Sequence, residues 1–131
     1  MTIERINPSG LSHPPTYSHV VRATGGSTVY ISGQVPIDAG GQLVGGSDLE
    51  AQARQVYANL GVALAAVGAD FSHVVRFTTY VVNYRPEHRD IIGRLRLEMM
   101  GEHRAASTLL GVQALALPDY LIEIEATAVL D

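Results

Sequence analysis

Glu123 and Glu125 stand two residues apart in a run where Ile122, Ile124, Ala126 and Ala128 alternate with Glu123, Glu125, Thr127 and Val129. Alternation of period two reads as a strand and sets both carboxylates on the face opposite the isoleucines. A carboxylate held on a rigid strand can orient a water or accept a proton, although the spacing alone fits a solvated or salt-bridged face equally well. The remaining residue types narrow the chemistry. All nine basic residues are arginine, and there is neither lysine nor cysteine. A lysine Schiff base, a Walker-type phosphate loop, a thiolate nucleophile, a disulfide and zinc–cysteine or iron–sulfur sites are therefore excluded.

The familiar motifs are missing as well. Gly40-Gly41-x-x-x-Gly45-Gly46 lacks both the spacing and the lysine of a nucleotide loop and reads as a turn. Ser32 sits in Ile31-Ser32-Gly33 at a strand end, outside any G-x-S-x-G elbow. His13, His19, His73, His88 and His103 are dispersed, so the expectation is no metal site and no cofactor. A formal charge of −4 gives no general attraction to nucleic acid or anionic membrane. Arg76 with Phe77 and Tyr80 is the one basic–aromatic cluster, and burial accounts for it better than base stacking. No apolar run approaches the roughly 18 residues of a membrane span. The opening Met1-Thr2-Ile3-Glu4-Arg5 lacks the apolar stretch of a secretory signal, so a cytoplasmic location is expected.

The elements that must position these groups are legible in turn. A chain of 131 residues, 47% hydrophobic and 17% charged, suits one domain spanning 1–131 with a real core. Residues 1–18, with Pro8, Pro14, Pro15 and Gly10, read as an irregular arm. His19–Thr24 and Thr28–Ser32 around Gly25-Gly26-Ser27 predict a β-hairpin. Pro36–Gly46 reads as loop, with at most a short strand at Gln42-Leu43-Val44. Ser47-x-x-Glu50 predicts a capping box opening a helix whose stripe is Leu49, Ala53, Val56, Tyr57, Leu60, Leu64 and Val67, closed at Gly68. His73–Asn83 predicts a strand. Pro86 opens a second helix striped by Ile91, Ile92, Leu95 and Met99 and ended by Gly101. Ser107–Leu115 and Leu121–Leu130 are the last strands, giving the order ββαβαββ in an α+β class.

Two helices can cover one face of such a sheet. The pairs Val74/Val75, Val81/Val82 and Leu109/Leu110 place apolar groups on both faces, which predicts a homo-oligomer burying the second face.

Ile31-Ser32-Gly33-Gln34-Val35-Pro36, Ala51-Gln52-Ala53-Arg54-Gln55, Asn59-Leu60, Gly68, Val74-Val75-Arg76, Leu117-Pro118 and Ile122-Glu123-Ile124-Glu125-Ala126 occur in this order from Tyr17 onward. The set resembles the reactive-intermediate-deaminase (Rid, or YjgF) family. The resemblance implies a chorismate-mutase-like subunit, a mixed sheet with two helices on one face, and a homotrimer with small-molecule sites between subunits. It also implies cofactor-free hydrolysis of small enamines and imines, such as 2-aminoacrylate, to a keto acid and ammonia. The family's N-terminal aromatic gate falls on Tyr17, its Ser-Gly on Ser32 and Gly33, and its water-positioning glutamate on Glu123.

Two positions depart from the family pattern. Where the best-studied members have Pro-Ala-Arg-Ser, this chain reads Arg104-Ala105-Ala106-Ser107-Thr108, so Ser107, or Thr108 with a one-residue shift, occupies the arginine column. A family asparagine on the second helix is replaced by Ile91. A hydroxyl cannot make the bidentate contact of a guanidinium with a carboxylate. Either Arg104 restores that contact from the preceding turn, or the cleft takes a less acidic ligand through Tyr17, Ser32 and Ser107. Besides the hydrolase, the expected alternatives are a non-catalytic trimer that binds a metabolite in the same cleft and, more weakly supported, an endoribonuclease.

Overall fold

The computed structural model describes every residue from Met1 to Asp131. The elements are β1 (Thr2–Ile6), β2 (Val20–Thr24), β3 (Ser27–Gln34), α1 (Leu49–Ala65), β4 (Val74–Val82), α2 (Pro86–Met100), β5 (Ala106–Val112) and β6 (Ile122–Leu130), with one 3₁₀ turn at Phe71–His73 before β4. Four strands form a sheet in the order β3-β6-β4-β5; β4 and β5 are parallel, and β6 is antiparallel to both β3 and β4. The mixed sheet and two helices are those of the α+β class expected from sequence.

The arm and the hairpin differ from expectation. Residues 2–6 are a strand rather than irregular chain, and β2 pairs with β1, from Thr2↔Thr24 to Ile6↔Val20. β3 pairs instead with β6, from Ser27↔Leu130 onward. Gly25 and Gly26, both at positive φ, carry the chain between the two sheets. At Gly26 a β-carbon would fall 2.5 Å from the Leu130 carbonyl oxygen, so the corner passes too close to β6 for any side chain. Gly26 therefore marks a close approach, which the sequence pattern shares with an ordinary hairpin turn.

α1 begins one residue later than the capping-box pattern predicts. Asp48 is the cap, its Oδ1 accepting from the Glu50 N–H at 3.1 Å. The Glu50 side chain is drawn away to an ion pair with Arg94 of α2, so it does not reach back to the helix start. Ala53, Val56, Tyr57, Leu60 and Leu64 are buried as the stripe predicts, whereas Val67, past the helix end, is exposed. Each large apolar side chain on that face contributes about 1.5–3 kcal/mol by leaving water. They pack on Phe77, Val81, Ile122, Ile124 and Ala128, the inner face of the sheet.

Gln52 shares this buried stripe. Its Nε2 donates to the carbonyls of Gly46 (2.7 Å) and Asp119 (2.9 Å), and its Oε1 accepts from Leu121 N–H at 2.8 Å. One side chain thus fastens the loop before α1 and the entry to β6, the strand that carries Glu123. Gln52→Leu orphans these backbone groups, and we expect a loss of about 2–4 kcal/mol in a urea denaturation series. A loss under about 0.5 kcal/mol would show that water replaces the amide at no cost.

The outer face is less apolar than the valine and leucine pairs suggest. Val75 and Val82 are half-buried and Leu110 is exposed, Leu109 turns instead to the helix side, and the centre of the outer face is Arg76, Thr78, Tyr80, Glu123, Glu125 and Thr127. The sheet therefore leaves a polar, carboxylate-bearing surface on the side that the helices do not cover.

Candidate functional site

β6 is the last strand in sequence and lies between β3 and β4, hydrogen-bonded on both edges. Ile122 and Ile124 are anchored in the core, which fixes the outward aim of Glu123 and Glu125. Glu125 accepts a hydrogen bond from the Tyr80 hydroxyl at 2.9 Å, and that bond raises the tyrosine's pKa. Glu123 has no such partner. Partial burial, and then the negative charge of Glu125, push its carboxyl above the usual glutamate range. The two carboxylates therefore differ in setting: one is tied to a tyrosine, and the other is untied and of raised proton affinity.

β3 supplies the wall beside Glu123. Between the pairs Ile31↔Ala126 and Gln34↔Ile124 it holds one more residue than β6, a bulge at Ser32-Gly33. A β-carbon built at Gly33 would lie 1.9 Å from Glu123 Oε2. Gly33 thus gives the carboxylate its room, and exposed Ser32 stands next to it. Asn59 of α1 steadies the continuation of β3, donating from Nδ2 to the carbonyls of Val35 (3.0 Å) and Ile37 (2.9 Å). Ser32, Gly33 and Glu123 form one cluster on the outer face.

Tyr17 and Ser107 lie elsewhere. Together with Thr16, Arg89, Ile92, Gly93, Arg96 and Leu109 they line a cavity of about 280 Å³ between the segment before β2, helix α2 and strand β5. Ser107 accepts a hydrogen bond from Arg96, which also reaches Thr79 on the helix side of β4, so this cavity opens on the side of the sheet opposite Glu123. Thr108, one residue on, faces the other way and accepts from Arg76 Nη2 at 3.1 Å. Within one chain the sequence-derived site is therefore split into two half-sites, Glu123–Gly33–Ser32 and Tyr17–Ser107.

Arg104 belongs to the scaffold of the second half-site. Its Nε donates to the Pro15 carbonyl at 2.8 Å and its Nη1 to the Gly101 carbonyl. Ser18 binds the same turn, through its hydroxyl to the Arg104 carbonyl and its N–H to the Ala105 carbonyl. Arg104 thus straps the Tyr17 segment to the end of α2 rather than lining the cavity.

Arg96 is the residue that sequence reading passed over. It lies within the apolar stripe of α2, four residues after Ile92 and one after Leu95, and is 5% exposed. An arginine on the buried face of a helix was the available signal. No group of three or more His, Asp or Glu side chains is placed to hold a metal ion.

The two-helix α+β chain thus carries an outer-face carboxylate beside a Ser-Gly bulge and, on the helix side beneath β5, a cavity rimmed by Tyr17. Residues 11–130 match the family model described as Endoribonuclease L-PSP, and the chain belongs to that family, which is the Rid/YjgF family. A crystal structure of YyfB from Yersinia pestis, described as a conserved Rid-family protein of unknown function, superposes with a TM-score of 0.94 at 46% identity, covering 99% of this chain and 100% of that one. Protein DfrA of Myxococcus xanthus is 38% identical over 116 residues, 86% of this chain and 84% of its own. The 2-iminobutanoate/2-iminopropanoate deaminase of Mus musculus is 44% identical over 68 residues, 51% of this chain and 48% of its own length.

Proposed function

We propose that the protein is a cofactor-free hydrolase of small imines and enamines, acting in clefts between the subunits of a homotrimer. The observation that carries this reading is Glu123: a half-buried carboxylate of raised proton affinity, pressed against a glycine on a strand paired on both edges. Kinship with imine deaminases over about half of their length supports the same chemistry. In the assembly, one protomer's Glu123, Gly33 and Ser32 complete the Tyr17–Ser107 cavity of the next. Neither half-site is complete without its neighbour.

The reaction asks little of the protein. The imine carbon is already electrophilic, so placing substrate and water together removes much of the barrier. Glu123 accepts a proton as the water oxygen bonds to the carbon of the protonated imine and the C=N π pair moves to nitrogen, giving a neutral carbinolamine. Glu123 passes that proton to nitrogen, the carbon–nitrogen bond breaks with its electron pair leaving on ammonia, and the hydroxyl returns its proton to Glu123 as the carbonyl product forms. A carboxyl group whose pKa lies above the ordinary range is a stronger base for this step than an exposed glutamate. A solution mass of three times the 14.0 kDa subunit, together with ammonia release from freshly generated imines above the spontaneous rate, is the expected outcome. A monomer at micromolar concentration, or ammonia release no faster than in buffer, contradicts the reading.

The two-arginine cavity keeps one alternative in play, a trimer that binds a metabolite without turning it over. The ammonia assay decides between them, because a binder leaves the spontaneous rate unchanged. For the endoribonuclease alternative, the formal charge of −4 works against phosphate-backbone binding.

A further inference from the structure

Arg96 is a buried cation without a counter-anion. Its Nη1 donates to Ser107 Oγ, its Nη2 to Thr79 Oγ1 at 3.1 Å, and its guanidinium carbon stands 5.1 Å from the centre of the Phe77 ring. Both hydrogen-bond acceptors are neutral, and Nε, buried, has no partner at all. Arg22, Arg54, Arg85 and Arg94 are paired with glutamates, whereas neither Arg96 nor Arg89 takes part in any ion pair. Burying a guanidinium costs several kcal/mol unless an anion compensates it.

The cavity that Arg96 lines has the composition to receive one. Arg89 lies two helical turns earlier on the same face of α2, with Ile92 and Gly93 between them. Of the eight lining residues two are arginines and none is acidic; Asp90 lines only the adjoining outer groove, with Arg94. Ser107 carries the hydroxyl nearest the guanidinium, and Tyr17 closes the rim. A volume of about 280 Å³ suits a molecule of few heavy atoms.

We infer that Arg96, seconded by Arg89, selects the charge of the ligand: the cavity takes the carboxylate of a small organic acid, gripped from helix α2 instead of from strand β5. Ser107 then has a positive purpose. It is small enough to let the helix guanidinium reach the cavity and is hydrogen-bonded to it. For the fate of the bound acid this rests on the hydrolase reading; the binding step itself does not.

Calorimetry on the intact protein, using the unreactive probe 2-oxobutanoate and its neutral analogue 2-oxobutanamide, tests the inference. The expected result is at least a roughly tenfold preference for the acid, abolished by Arg96→Met and reduced by Arg89→Gln. Arg89 is exposed and unpaired, so its variant remains informative if Arg96→Met fails to fold. Equal binding of acid and amide by the unmodified chain overturns the inference. So does a preference that persists in folded Arg96→Met, or one undiminished in Arg89→Gln. Glu123→Gln is expected to retain the preference while losing turnover. Hydrolysis of neutral imines without acid preference would sink this inference alone, and acid preference without hydrolysis would sink the hydrolase reading alone.

Discussion

Glu123→Gln is expected to lower ammonia release by about 10²–10⁴-fold, the usual span for removal of a general base, equivalent to roughly 3–5 kcal/mol of barrier. The amide keeps the size of the side chain and its place beside Gly33 but cannot take the water's proton. On the proposed reading, the unmodified protein should lose activity on acidification with an apparent pKa above that of an ordinary glutamate, because burial and Glu125 both oppose ionisation. Stability should move the other way. A carboxyl whose pKa is raised in the folded chain is destabilising above that folded value, and the penalty disappears below the unfolded value. Glu123→Gln should therefore raise Tm at about pH 8, with the gain vanishing near about pH 4. Turnover within about threefold of the unmodified protein would remove Glu123 from the reaction.

Gly33→Ala should separate activity from folding. The added methyl group would sit 1.9 Å from Glu123 Oε2, 2.8 Å from its Cδ and 3.0 Å from its Cγ, so the whole side chain must swing away. All three atoms belong to a flexible side chain, and Gly33 is not among the glycines at positive φ, so the backbone tolerates alanine. We expect a change in stability of no more than about 1 kcal/mol, as for a surface substitution. Displacing a general base by about an ångström costs on the order of 10²-fold in turnover. Activity and Tm measured side by side give the answer. Equal losses in both would mean that Gly33 serves the fold, and no loss in either would mean that Glu123 does not act from its observed position.

The fold was readable where local pattern and tertiary structure agree. The α1 stripe from Ala53 to Leu64 and the alternation of β6 each have one sensible buried face, and that face is the one buried. The errors fall where a residue answers to a distant partner. Glu50 matches a capping box in sequence but is claimed by Arg94 on the other helix. Gly25-Gly26 reads as a hairpin turn, yet Gly26 is required by the approach of β6, more than a hundred residues away in sequence. Thr2–Ile6 carries little apolar pattern and becomes a strand only because β2 is there to pair with it.

The candidate site follows the same division. The outward aim of Glu123 follows from strand alternation, and the closeness of Gly33 to it follows from a bulge that no pattern announces. Arg104 stands three residues before the expected position in sequence, but its guanidinium is taken by the backbone carbonyls of Pro15 and Gly101. Arg96 is separated from Ser107 by a helix end and a turn, so their contact exists only in three dimensions.

Mixing two inactive chains tests the shared cleft most directly. One chain carries Glu123→Gln, and the other carries Tyr17→Ala with Arg96→Met. If each site joins Glu123 of one protomer to the cavity of its neighbour, refolding the two in equal amounts should restore roughly a quarter of full ammonia release, the share of interfaces that pair two intact halves. If mixed oligomers form, as mass spectrometry would show, and activity stays at the level of the separate variants, the two halves do not meet between copies and the proposed site is wrong.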